Sequence, residues 1–500
     1  MNYKSSRGKV SGVSSAEAIK KGIAADGGLF VPESIPTLNE DLFGALEELN
    51  YQQRASRILA YYLTDFTEQE IHHCVQGAYN SDNFDNTRIA PLARLGENVY
   101  IQELWHGPTC AFKDMALQIL PYLMTTSMEK TGETSEVVIL VATSGDTGKA
   151  ALEGFSDVQG TRIIVFFPAE GVSEVQKRQM VTQEGNNVYV AGVQGNFDDA
   201  QSGVKNIFAS QDYNERLAEQ NMKMSSANSI NWGRLLPQIV YYISAYIDLR
   251  TEGAVKTGDK INIVVPTGNF GNILAAYYAG KMGVPIGKLI CAANSNNVLT
   301  DFIRSGIYDR NRPFEKTISP SMDILISSNL ERLLFEITGH DAQKVSNWME
   351  ELQSSGCYNV GDDVYQDVAR LFWSDYCSDQ ETIATINRSW KEKRYLLDTH
   401  TAVAVNVYEK YQQATGDNTI SLVASTASPF KFGSSVAAAV LPPEMVAGRS
   451  EFELLYLLEE YTGVQMPDAI KGLEHRPVLH KTVCKIEDME KTVSQFLGLE

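Results

Sequence analysis

From residue 137 onward, short apolar runs alternate with stretches whose apolar residues recur every three or four positions. "VVILVA" (137–142), "RIIVFF" (162–167) and "NVYVAGV" (187–193) are compact and rich in β-branched residues, the signature of buried strands. Between and after them the helical period predicts helices over 148–156, 173–184 and 198–210. "INIVVP" (261–266) and "LICAAN" (289–294) continue the rhythm around a helix near 272–282, and "ISLVAS" (420–425) adds a late strand. Strands separated by helices must return in parallel. The pattern therefore predicts an α/β fold with ligand sites at the C-terminal ends of its strands.

Two regions break the rhythm. Residues 1–92 read as a largely helical N-terminal section with a Gly-Gly turn in "AADGGLFVPESIP". Residues 300–395 read as a charged helical insertion, with apolar residues three and four apart in "SNLERLLFEI" and "KVSNWMEELQ". The α/β core then comprises 93–299 and 396–500, and about 130–225 forms its smaller, substrate-side domain. There is no internal repeat and no low-complexity linker.

Composition narrows the function classes. A net charge of −19 opposes nucleic acid or an anionic membrane as partner, because both demand a basic surface. It leaves room for a small anionic substrate in a locally positive pocket. The six cysteines are scattered, without a CxxC pair or zinc spacing, and read as free thiols of a reducing compartment. The first residues, "MNYKSSRGKVSG", carry no apolar signal core, and no run is long enough for a membrane span. The expected setting is cytoplasmic, without a metal site.

Three stretches carry candidate chemistry. "HGPTCAFKDMALQ" (106–118) sets Lys113 in mostly small and apolar surroundings, where an unpaired ammonium is costly and its pKa falls. "TGNFGN" (267–272) joins a strand to a helix. Its glycines 268 and 271 permit positive φ, so that backbone N–H groups can converge on a phosphate at the helix N-terminus. "ATSGDTGKAALEGF" (142–155) repeats the strand–turn–helix logic with Ser144, Gly145, Asp146 and Thr147, a loop able to hold a carboxylate. Each also has an ordinary explanation: Lys113 paired with Asp114, a tight turn without a ligand, and simple helix capping. Together, a phosphate nest, a carboxylate loop and a reactive lysine are what pyridoxal phosphate requires when it acts on an amino acid.

"HGPTCAFKD" resembles the cofactor-lysine motif of the threonine synthases. The likeness continues through "GIAADGGLFVPESIP" (22–36), "QGNFDDAQ" (194–201), "SSANSINWGRLLPQ" (225–238), "PTGNFGNILAAYYA", "SMDILISSNLERLL" (321–334), "DTHTAVA" (398–404) and "STASPFKF" (425–432). It spans nearly the whole chain in the family's order and points to the longer bacterial and fungal form. Cys110 and the stretch Ser428 to Phe430 depart from the family's usual residues.

The resemblance implies fold type II, shared with tryptophan synthase β, and the conversion of O-phosphohomoserine and water to threonine and phosphate. Lys113 would hold the cofactor as a Schiff base, while Gly268, Asn269, Phe270, Gly271 and Asn272 hold its phosphate. Thr426 would bond the pyridine nitrogen, and Asp146 would sit near the ring oxygen. Ser144, Gly145, Asp146 and Thr147 are expected at the substrate carboxylate, with Asn231 and Arg234 at the substrate phosphate, where a planar guanidinium suits phosphate oxygens. His400 is expected to be a satisfied structural histidine. A related dehydratase or phospho-lyase would keep Lys113 and the phosphate loop, and a non-catalytic descendant would be expected to lose them.

Overall fold

The computed structural model describes residues 1–143, 145–170 and 172–499, apart from the side chain of Asp198. Two sheets organise it. The larger has six strands in the order Phe372–Tyr376, Ile286–Ala293, Ile261–Pro266, Ser421–Ser425, Val99–Glu103 and Leu92–Arg94. All neighbours are parallel except the outermost pair, Leu92–Arg94 with Val99–Glu103. The smaller has five parallel strands: Thr482–Cys484, Val188–Val193, Thr161–Pro168, Glu136–Ala142 and Met222–Ser225.

The apolar runs map directly onto these strands. Val264, Val265 and their neighbours on Ile261–Pro266 are buried on both faces, as a strand sandwiched between helix layers must be. The intervening helices fall at Asp146–Phe155, Glu174–Val181, Phe197–Ala209 and Gly271–Lys281. One difference concerns the region read as a helical insertion. Phe372–Tyr376 within it is a strand that extends the large sheet beside Ile286–Ala293, and Ile307–Asp309 pairs antiparallel with Cys357–Asn359. Hydrophobic periodicity favours the longer helices around these strands, which are three to five residues long and carry too few positions to show alternation. Likewise Thr482–Cys484 crosses from the C-terminal section to the edge of the small sheet.

The helix Trp232–Thr251 is buried along most of its length and anchors the N-terminal section to the large sheet. At its start, Trp232 packs among Tyr3, Tyr62 and Tyr278 with ring centroids 5.5–5.6 Å apart. The fully buried Arg332 lies over Trp232 and donates to the carbonyls of Phe30 and Ile230 and to Asn329 Oδ1. Asn329 in turn donates through its backbone and side-chain nitrogens to the Asn269 carbonyl, both at 3.1 Å. A guanidinium spent on carbonyl acceptors needs no carboxylate to offset its burial. The N-terminal section, the entry to the long helix and the loop at 269 are thus tied to one side chain.

Candidate active site

Strand order explains why distant residues meet. Val99–Glu103, Ser421–Ser425 and Ile261–Pro266 are adjacent, so the segments after their C-terminal ends lie side by side. These segments hold Lys113, Thr426 and Gly268–Asn272. The Lys113 segment is zipped to the second of them: Phe112 N donates to Thr426 O at 2.8 Å, and Ser428 N donates to Cys110 O at 3.0 Å. Cys110 takes a left-handed backbone, φ +59°, to make this turn. Burial pushes its thiol up to about 12, so it is an inert packed group.

Lys113 does not pair with Asp114. Asp114 accepts instead from Thr109 N at 2.9 Å and Thr109 Oγ1 at 2.7 Å, and burial lifts its carboxyl to about 6. The Lys113 ammonium, 11% exposed, donates to Ser321 Oγ at 3.1 Å and lies 3.6 Å from Asp146 Oδ2. Burial lowers its pKa, Asp146 opposes this, and the positive charges of Lys431 and Arg234 reinforce it, leaving the net shift downward. The amine is tuned toward nucleophilicity.

The helix Asp146–Phe155 begins behind Gly145, at φ +142°, which has no side chain to cap it, and the capping oxygen comes from further upstream. Thr143 Oγ1, upstream, accepts from Gly145 N at 3.0 Å and Gly148 N at 2.9 Å. Those two amides are therefore already occupied. Asp146 accepts from Gln176 Nε2 at 2.9 Å, from Ser321 Oγ at 3.3 Å and from Lys431 Nζ at 2.9 Å. Burial alone would raise its pKa, but Lys431 and Lys113 together hold it well below the usual carboxylate range. Thr147 is half-buried on the following turn, and Ser144 lies outside the described residues.

At the second loop the positive φ falls on Phe270, at +64°, and not on Gly268 or Gly271. The glycines serve space instead. A Cβ on Gly268 would sit 2.6 Å from the Ser321 carbonyl oxygen, whereas the nearest contact of one on Gly271, among the described residues, would be Asn329 Nδ2 at 3.4 Å, an ordinary contact. Phe270 caps the helix Gly271–Lys281 without a side-chain bond, so no side chain of the cap takes the first-turn amides. Asn272 Oδ1 accepts from Tyr241 and Tyr242, while its buried Nδ2 has no partner among the described residues. The Thr426 hydroxyl also makes no hydrogen bond among the described residues. An uncapped helix start, a buried donor without an acceptor and a glycine with room beside it are the features a bound phosphate requires. The residues present fit pyridoxal phosphate.

This contrast gives a test. Gly271→Ala should fold with a thermal midpoint near wild type yet bind pyridoxal phosphate at least about tenfold more weakly, since only a ligand needs its Cβ space. Gly268→Ala should lower the midpoint itself, because its new methyl group meets backbone. Equal cofactor affinity in Gly271→Ala, by fluorescence titration, would move the phosphate elsewhere.

Arg234 is 3% exposed, donates from Nη1 to the Ala227 carbonyl at 2.7 Å and leaves its buried Nε without a partner among the described residues. Burial pulls its guanidinium down to about 10. Its positive charge is one of the causes that lower the Lys113 pKa. Asn231 has a different place: its Oδ1 accepts from Gly233 N at 2.8 Å as the cap of the long helix, and its Nδ2 donates to Ile19 O at 2.9 Å. It thus fixes the turn that presents Arg234. His400 is satisfied as expected, accepting from Ser321 N at 3.1 Å and lying 3.2 Å from Asp398.

Ser321, Gln176 and Lys431 complete the site without having been singled out from sequence. Ser321 and Gln176 carry no compositional signal. Lys431 did carry one: like Lys113, it is a lysine inside an apolar run, "SPFKFG". The turn before Lys113 has its own brace. His106 Nδ1 lies 2.5 Å from Asp85 and Nε2 2.9 Å from Glu103. Burial disfavours its cation, but the two carboxylates outweigh burial and raise it to about 9. The stabilisation is therefore complete below about pH 6.5 and lost as pH rises through about 9. Between those pH values wild type should lose about 1–2 kcal/mol more stability than His106→Gln in urea melts, a range discounted for the exposure of Asp85. Parallel pH profiles would remove His106 as a brace.

Comparison with known proteins now decides the family. Residues 2–79 match the family described as threonine synthase N terminus, 81–426 the pyridoxal-phosphate dependent enzymes, and 401–496 the threonine synthase C-terminal family. Threonine synthase of Saccharomyces cerevisiae is 37% identical over 451 residues, covering 85% of this chain and 86% of the yeast one. The chain belongs to the threonine synthase family. The crystal structure of pyridoxal-phosphate-bound threonine synthase from Brucella melitensis superposes with a TM-score of 0.87 at 34% identity, covering 99% of both chains. The fold is accordingly fold type II, and the family's cofactor is pyridoxal phosphate. Human threonine synthase-like 1 is 41% identical over 466 residues, or 91% of this chain, and the alignment spans 62% of the human protein's length.

Proposed function

We propose that this member of the threonine synthase family converts O-phosphohomoserine and water to threonine and phosphate. The observation that carries the reading is Arg234, a buried guanidinium whose Nε has no partner among the described residues and whose positive charge acts on the Lys113 amine. A cation so enclosed is costly unless an anion completes it, and a phosphorylated amino acid brings one next to the reacting carbons. Gly268–Asn272 would hold the cofactor's phosphate, Thr426 its ring nitrogen and Lys113 its aldehyde carbon. Bound there, pyridoxal phosphate supplies an electron sink for the substrate's α-carbon.

The chain's own groups account for the rest. The Lys113 amine removes and returns protons at neighbouring carbons of the substrate, a role suited to its lowered pKa. Ser321, oriented by His400, fixes the amine's position. Arg234 holds the phosphate as the bond to the γ-carbon breaks, and water enters at the β-carbon. Ser144 and Thr147 remain the proposed carboxylate contacts, whereas the Gly145 amide is taken by Thr143 Oγ1. Asn231 is proposed near the substrate phosphate through the turn it caps. The six cysteines are all free, which supports a reducing, cytoplasmic setting.

The deciding assay supplies O-phosphohomoserine in labelled water and measures threonine, phosphate and label at the β-hydroxyl. Threonine carrying the label is expected. Phosphate released with a keto acid and no threonine would make the chain a phospho-lyase instead.

A further inference from the structure

A second lysine is buried in the site. Lys431, on the turn Pro429–Phe432, is fully inaccessible, and its ammonium has three acceptors: Asp146 Oδ1 at 2.9 Å, the Thr109 carbonyl at 2.8 Å and Gln179 Oε1 at 3.0 Å. These acceptors come from the helix after Glu136–Ala142, from the segment leading to Lys113 and from the helix Glu174–Val181. A lysine whose three N–H bonds are all used has no donor left for substrate or cofactor. Its influence must pass through a partner. Among the described residues its one charged partner is Asp146, whose other oxygen faces Lys113 at 3.6 Å.

We propose that Lys431 is a positioning residue: by occupying one oxygen of Asp146 at closer range, it prevents that carboxylate from capturing the Lys113 ammonium and leaves the amine free to react with an aldehyde. The inference rests on Lys113 being the cofactor lysine. One carboxylate between two ammoniums leaves an excess positive charge, and Arg234 adds another from the long helix. Asp114 lies behind the segment, bonded to Thr109, and His400 lies behind Ser321, bonded to Asp398. Neither supplies a compensating anion directly at Lys113. Without Lys431, Asp146 would have Lys113 as its sole cationic partner and would hold it protonated.

The two partners should therefore act in opposite directions. In stopped-flow mixing of apoprotein with pyridoxal phosphate, the rise of visible absorbance reports reaction of the Lys113 amine, independently of turnover. Lys431→Met should shift the pH midpoint of this rate upward by about one unit or more and slow it roughly tenfold near neutral pH. Asp146→Asn should shift the midpoint downward, and the double variant should lie between them. Thermal melts establish folding of each variant. If Lys431→Met does not fold, Asp146→Asn alone decides: an unchanged or raised midpoint overturns the proposal. A folded Lys431→Met with the wild-type midpoint overturns it equally. Failure of wild type to form the absorbing adduct would instead refute Lys113 as the cofactor lysine.

Discussion

Lys113→Ala should be colourless after reconstitution with pyridoxal phosphate and should lose turnover by at least about four orders of magnitude, since it removes both the attachment point and the proton-transferring amine. Borohydride reduction of the wild-type holoenzyme should fix the cofactor to the peptide containing Lys113, as mass spectrometry would show. The structure adds an expectation about stability. The Lys113 side chain sits desolvated with one hydroxyl and one distant carboxylate as partners, so its removal should cost the apoprotein little. Asp146 keeps Lys431 and Gln176. A thermal midpoint near wild type with no adduct would separate chemistry from folding. Retained colour in Lys113→Ala would refute the assignment.

The second large effect concerns Arg234. Arg234→Met preserves most of the side chain's volume while deleting its charge. It should cost about 2–3 kcal/mol in kcat/KM for O-phosphohomoserine, the range expected for a lost charge-assisted contact. Slow deamination of serine or threonine, which carry no phosphate, should change far less. Removing a buried guanidinium that holds one carbonyl and no carboxylate among the described residues should also leave the apoprotein nearly as stable or more so, because its desolvation is only partly repaid in the free protein. Equal losses on every substrate would take Arg234 out of the phosphate site. A large loss of stability would mark it as a structural residue.

Much of the site was legible because local chemistry announces itself. Lys113 stands out as a cation in a segment otherwise written for burial, and the glycines of 267–272 mark a strand-to-helix turn, whereas Arg234 enters only through the family resemblance. In the folded chain the left-handed residue of that turn is Phe270, not a glycine, and the bulk excluded at Gly268 belongs to the Ser321 carbonyl of a distant segment. Nothing within the loop reveals that neighbour. Asn231 shows the complementary limit, since an asparagine before a tryptophan is equally suited to a phosphate or to the helix cap it makes here.

Residue pattern alone determined the α/β alternation, because a strand buried on both faces must be continuously apolar and a helix beside it must repeat every three or four residues. It also marked the lysine, whose burial has a cost that no neighbour in sequence offsets. Only the tertiary structure decided which partners meet that cost. Strand order brings the segments after Glu103, Pro266 and Ser425 together, although they are more than a hundred residues apart. Docking of the smaller sheet then carries Asp146 between Lys113 and Lys431. The charge state of the reactive amine depends on distances of a few ångströms between three such segments, and electrostatic energy at that range has no counterpart in the linear spacing of residues.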